Sequence, residues 1–451
     1  MSIMQDTEDT ILARLGDLMD RAKRGGADAA DAVYVHGVSL SASQRLGKPE
    51  NLERAEGADL GLRVLIGKRQ AIVSSSDISD AALDELLERA LAMAKVVPED
   101  EFCGIADADM LAGEVPDLDE CDTAEPDAET LTDLAARAEA AALAVEGVSN
   151  SEGGDAGWSR NFVALAATNG FARTRVRTGY SISAAVLAGE GTAMERDYDW
   201  GTAVHFADLP EPEEIGRRAG EQAVRRLNPR KVATAQVPVI YDPRVSQSIP
   251  AHLAGAVNGS AVARGTTFLK DKMGERVMNA GITIVDDPLR RRGLRSKAFD
   301  GEGIATQRRN LIEDGILKTW VMDLRSSRQL GLKTTGNASR GTSGPPSPST
   351  TNLHLEAGKI SRDDLIKGVD KGFYVTEMMG RGISLVTGDY SRGATGFWIE
   401  NGEIADPVSE VTIAGNLKDM FMNLTPADDL TFRFGSNAPT LRIDGMTVAG
   451  K

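Results

Sequence analysis

The nitrogen and sulfur donors open to this chain are four histidines and two cysteines. A hydrolytic metal centre needs neutral imidazoles on one helical face and a carboxylate that takes a proton from bound water. His252, Asp286, Asp287, His354 and Glu377 are the candidates, but they lack the i, i+4 spacing of a strong site, and no Cys-x-x-Cys occurs. His252 by itself reads as a packed or surface histidine before it reads as a ligand. Serines at Ser246, Ser248, Ser260 and Ser296 have no Gly-x-Ser-x-Gly elbow to raise them as nucleophiles. Thr266 and Thr267 open a loop and read as side chains that satisfy backbone groups. Arg290, Arg291 and Arg292, with Arg295, follow Asp286-Asp287-Pro288. That knot has two readings: pairing with the acids beside it, or a fork that captures a peptide carboxylate.

These residues have to be held by a large chain, long enough for two or three domains with real cores. Its formal charge of −16 repels phosphate backbones, which argues against direct nucleic-acid binding. No apolar run approaches the ~18 residues of a membrane span. The start, MSIMQDTEDTILARL, is acidic and amphipathic and lacks the basic, apolar pattern of a signal peptide. Cys103 and Cys121 are too few for a disulfide scaffold and suit a reducing cytoplasm, a single bridge between them being the lesser alternative. Pro98 to Asp127 is acid-rich without Lys or Arg and reads as a solvated connector.

The chain predicts an α+β fold in which an N-terminal region of strands with flanking helices precedes a predominantly β C-terminal domain. Three parts are expected, at residues 1–115, 116–232 and 233–451. Asp6 to Lys23 carries apolar residues at helical spacing and stops at Gly25-Gly26. Ala32 to His36 and Leu40 to Arg45 read as strands joined by a turn at Gly37. Leu62 to Val73 reads as a hairpin about Gly67-Lys68. Ser79 should cap the next helix, which Pro98 closes. Helices follow at Glu129 to Val145 and Glu211 to Leu227, with a hairpin at Thr168-Asn169-Gly170 between them. From Val237 short β segments dominate. Thr334 to Thr351 is a Gly/Ser/Pro loop that reads as a lid or binding edge.

Pro250 to Val277 is a small-residue helix running into a Gly/Thr loop, and here the chain resembles the TldD/TldE (PmbA) family. The TldD type carries a His-Glu-x-x-x-His helix, a Lys-Gly-Thr-Ser loop and a Gly-Glu-Arg-Val-like segment. Arg264-Gly265-Thr266-Thr267 and Gly274-Glu275-Arg276-Val277 match the loop and the segment without a gap. The first metal-binding His then falls on Pro250, the general base on Ala251 and the second His on Gly255. The family's Cys ligand near the C-terminus has no counterpart in Leu430 to Thr440. Asp286 to Gly303, Val386 to Ile404 and Pro407 to Met420 match family blocks, the last two most like the TldE/PmbA type. Gly57 to Asp77 agrees more loosely.

The resemblance implies a non-catalytic TldE-type subunit of a cytoplasmic metallopeptidase that trims unfolded or modified peptides in a closed chamber. It implies no cofactor in this chain, zinc in a TldD-type partner, and a peptide as substrate. Neither membrane nor nucleic acid is expected as a partner, and the isolated chain could pair with itself. Asp389, Tyr390, Arg392 and Trp398 sit in the block most like the TldE type. They read either as a demanding turn or, with Phe397, as a chamber wall and subunit face. His252, Arg264, Thr266 and Thr267 are the other candidate contacts. Two rivals remain: a self-sufficient hydrolase around His252 or Asp286-Asp287, and a homodimeric peptide-binding protein.

Overall fold

Helix α1 (Glu8–Arg24) turns Ile11, Leu15, Leu18, Met19 and Ala22 inward at the spacing of one helical face. The computed structural model describes residues 8–450, so Asp6 and Thr7, the expected start of this helix, lie outside the described residues. Strand β1 (Ala29–Arg45) follows, then β2 (Lys48–Ile66), β3 (Arg69–Ser75) and α2 (Asp80–Ala94). As expected, Ser79 caps α2, its hydroxyl accepting from the Ala82 amide. After the connector come α3 (Ala128–Leu143), β4 (Val148–Ala167), β5 (Ala172–Ala188), β6 (Glu195–Ala203) and α4 (Pro212–Arg225).

The strands form one six-stranded sheet in the order β3-β2-β1-β4-β5-β6. The expected division near residue 115 therefore falls in a connector, and strands from either side of it pair as neighbours. Gly37 is not a turn: β1 runs straight through it, opposite Gly57 in β2 and Asn161 in β4. Pairing on both sides satisfies the backbone there, which outweighs the local break that a glycine suggests. On β1, Ala30, Ala32 and Tyr34 pack under α1 and α2, and Val38 and Ala42 pack with α3 and α4. All five have one parity, so the helices cover one face. The other parity, with Asp31 and Val33, turns to the C-terminal half.

That half begins with β7 (Ala235–Tyr241), α5 (Pro243–Ser246), α6 (Ser248–Ala256) and α7 (Gly259–Ala263). Next come β8 (Ile284–Asp286), β9 (Arg309–Glu313), β10 (Ile316–Leu317), α8 (Leu324–Leu330), β11 (Ala338–Ser339), β12 (Ser347–Pro348) and β13 (Leu353–Leu355). The chain ends with α9 (Arg362–Lys367), β14 (Lys371–Ile383), β15 (Asp389–Glu400), β16 (Glu403–Asn416), α10 (Leu417–Met422), β17 (Leu424–Pro426), β18 (Ser436–Asn437) and β19 (Leu441–Ala449). Strands β16-β15-β14-β7-β19 are neighbours in that order, and β16 also pairs with β19. The ring closes into a barrel, which removes its edges. A smaller sheet, β10-β9-β8-β13-β18, lies beside it.

Two expected loops are structural. The acidic stretch 98–127 is no free connector: Cys103, Ala106, Ala112 and Leu118 are buried along it. The amide of Ala112 donates to Gly303 O, and Arg328 reaches the carbonyls of Phe102 and Ile105. Its lack of basic residues is met by arginines of the other half, Arg325 pairing with Asp100. The stretch 334–351 is no lid either. Ala338 and Thr351 are buried, Arg340 is tied to Asp31, and Thr342 lies so close to Gly61 that a side chain there would collide with it. Both cysteines are free thiols. Among the described residues, no helix is long and apolar enough to cross a membrane.

Candidate functional site

The small residues of Pro250 to Val277 build two short helices rather than one. Asn258 breaks the run and caps α7, its side-chain Oδ1 accepting from the Ser260 and Ala261 amides. Helix α6 buries Ile249, Pro250, Leu253 and Ala256 and leaves Ala251 exposed. At Gly255 a Cβ would lie 2.8 Å from Leu385, so α6 packs too closely there for a longer side chain without movement. The 430–440 stretch is brought to the start of the helix. Ser246 donates to Ala438 O at 3.2 Å, and Ser436 to Gln247 O at 3.4 Å.

The two segments that the resemblance pairs are thus neighbours in space, but the donor chemistry does not fit a metal ion. Pro250, Ala251 and Gly255 carry no ligand atoms. Among the described residues, no group of three or more His, Cys, Asp or Glu is placed to hold an ion. His252 is half-buried with its ring edge-on to Tyr390, the centroids 6.0 Å apart, and its Nε2 has no hydrogen-bond partner among the described residues. Burial, with Arg392 adding to it, pushes its pKa down to about 4.

The other candidate contacts scatter. Thr267 is buried, donating to Ala256 O at 2.7 Å and accepting from the Leu269 amide. Thr266 donates to Ala261 O. Both hydroxyls serve the backbone. Arg264 is exposed at the end of α7. Asp389 braces its own turn, accepting from Thr387 and Asn416, and Arg392 donates to Met379 O. Tyr390 and Trp398, expected at a wall or subunit face, are core residues at 2% and 8% exposure. Tyr390 accepts from the Tyr241 hydroxyl inside the barrel. Barrel closure explains this: Ala394 to Ile399 are buried in succession, on both faces of β15.

The arginine knot does not pair with Asp286 and Asp287. Asp286 is taken by Asn337 and Thr351. Arg291 and Arg292 instead pair with Asp119, and Arg292 also with Asp208, both from the N-terminal half.

Sequence reasoning missed a cavity of about 450 Å3 between β6, α4 and the barrel. Asp197 and Asp199 project from β6, and Arg226 and Arg244 converge on Asp197. Beside them Tyr374 donates to Asp242 at 2.6 Å and accepts from Arg362. Burial and the Asp242 charge push the Tyr374 pKa well up, which keeps it a neutral donor. A signal existed: in ERDYDWGTA the two acids share a parity with Gly201 and Ala203, the buried one.

Comparison with known proteins agrees with this geometry. Family models of the PmbA/TldA metallopeptidase match in chain order, domain 1 over residues 30–94, the central domain over 121–227 and the C-terminal domain over 234–450. The protein named Metalloprotease PmbA from Escherichia coli O157:H7 is 38% identical over 95% of this chain and 93% of its own. A Metalloprotease PmbA homolog from Haemophilus influenzae is 36% identical over 100% of this chain and 98% of its own. A Bacteroides thetaiotaomicron protein described as a modulator of DNA gyrase has a crystal structure similar to this one at TM-score 0.91. It is 28% identical and covers 99% of this chain and 100% of that one.

Proposed function

The chain belongs to the TldD/TldE (PmbA) family and to its PmbA type, and from that premise we propose that it is a non-catalytic subunit of a cytoplasmic peptidase. It forms part of a chamber with a TldD-type partner, which supplies the zinc, and it holds unfolded or modified peptides there. The observation that carries this reading is helix α6. The backbone that could present two imidazoles and a carboxylate presents Pro250, Ala251 and Gly255 instead. A water-activating centre needs both ligands and a base, and the 430–440 stretch beside the helix adds no thiolate. The burial of His252 against Tyr390 speaks against a site built on that side chain.

Elemental analysis of the pure protein should find no stoichiometric zinc, and peptidase activity should arise only when a TldD-type subunit is added. Robust, chelator-sensitive activity in the isolated chain would overturn the proposal.

A further inference from the structure

A second cavity, of about 240 Å3, opens where the end of β6 meets the 290–294 turn and the 432–437 stretch. Its charge runs against that of the whole molecule. The chain carries −16, yet Arg290, Arg291, Arg292 and Arg433 all line this cavity, with Asp208 the acid among its lining residues. A diffuse negative field does not draw an anion in, so any attraction here is local and works through direct contact.

The pairing pattern leaves one guanidinium over. Arg292 donates to Asp119 at 2.7 Å and to Asp208 at 2.9 Å, and Arg291 to Asp119 at 3.2 Å. Arg433 is held by Asp199 and by Trp200 O. Among the described residues, Arg290 has no carboxylate within ion-pair distance. Its guanidinium carbon lies over the Phe432 ring, 3.5 Å from the centroid. A guanidinium held against an aromatic ring without a carboxylate partner keeps N–H donors for a ligand. The backbone below is braced as well: Ser296 donates to Arg290 O, and Arg292 takes a left-handed φ of 51° while its amide donates to Leu118 O. Backbone held in that region by a bulky residue marks a turn that its surroundings enforce.

We propose that this cavity is an anion subsite for a peptide carboxylate. Arg290 makes the two-pronged contact, and Phe432 and Phe434 form apolar walls for the neighbouring side chain. A planar guanidinium with an apolar wall suits a carboxylate on a peptide better than a bare ion. The subsite is also tied to the start of α6. The segment that carries Phe432, Arg433 and Phe434 continues to Ser436, which bonds to Gln247 just ahead of α6. The assignment rests on the peptide-holding role proposed above and adds the group by which the peptide is held.

The carboxylate can come from a free C-terminus or from an acidic side chain, and three probes separate the sources. N-terminally fluorescein-labelled Ala-Ala-Ala-Phe as free acid, the same peptide as C-terminal amide, and Ala-Ala-Asp-Phe amide are titrated against the full chain by fluorescence anisotropy. The free acid should bind about tenfold more tightly than its amide, the worth of one charge-assisted contact. Arg290→Ala should remove that preference, Arg290→Lys should keep part of it, and Arg89→Ala on α2 should leave it intact. Because Arg290 makes no ion pair among the described residues, its loss should shift thermal unfolding little. The Asp amide binding like the free acid assigns the site to either source, and binding like the plain amide assigns it to the terminus. Equal binding of acid and amide, a preference that survives Arg290→Ala, or no binding of any probe would overturn the proposal. Partner-dependent peptidase activity and metal content are separate readouts, so the subsite can fail while the subunit role stands.

Discussion

At the seam between the two halves, Asp31 is buried and accepts hydrogen bonds from Arg63 and from Arg340, side chains 309 positions apart in the second case. Burial alone would raise the Asp31 carboxyl, but the two guanidiniums outweigh it and hold the pKa below the usual range. Around α6 the opposite holds. The side chains of α6 are largely hydrocarbon, and its one imidazole, His252, is half-buried and held neutral, its Nε2 without a hydrogen-bond partner among the described residues. The contrast shows where this molecule invests its charged side chains. They join the helix-covered sheet to the C-terminal half, whereas α6 packs through Ile249, Pro250, Leu253 and Ala256.

The largest effect is expected at the seam. Arg340→Ala removes one partner of a buried carboxylate, and losses of about 3–5 kcal/mol are usual for such a change. Urea unfolding should show a drop of that order. A loss below ~1 kcal/mol would mean that the seam does not hold the halves together.

The α6 side is tested by pH. His252 has its folded pKa depressed to about 4 from 6.5, so the unfolded chain binds its proton first as the pH falls. Its contribution is therefore full above 6.5, declines as the pH drops through that value and levels off near 4. The total is up to about 3 kcal/mol. His252→Phe should flatten this part of the profile, read as the difference in stability between the two proteins from pH 7 to pH 4. An unchanged slope would show that the imidazole is solvated.

The smallest effect concerns the loop after α7. Thr267→Val removes two buried hydrogen bonds and should cost about 1–2 kcal/mol, whereas Thr266→Val at an exposed position should stay within ~0.5 kcal/mol. Equal effects on stability, or a large loss of partner-dependent peptidase activity from Thr266→Val with stability unchanged, would return these hydroxyls to the candidate site.

The features legible in the amino-acid order were local ones. The apolar stripe of α1, the Ser79 cap, the Gly67-Lys68 and Thr168-Asn169-Gly170 turns and the want of donors at Pro250, Ala251 and Gly255 all depend on residues a few positions apart. Spacing along the chain carries that information directly. Which partners meet depends on how the chain folds. Arg291 and Arg292 reach past Asp286-Asp287 to Asp119 and Asp208, and the acidic stretch 98–127 becomes a strap because distant arginines receive it. Gly37 stays within a strand because both neighbours pair with it, and Tyr390 and Trp398 are core residues because the barrel closes. A guanidinium pairs with whichever carboxylate the fold delivers, and a strand loses its alternation once both faces are covered. Neither outcome is written in neighbouring residues.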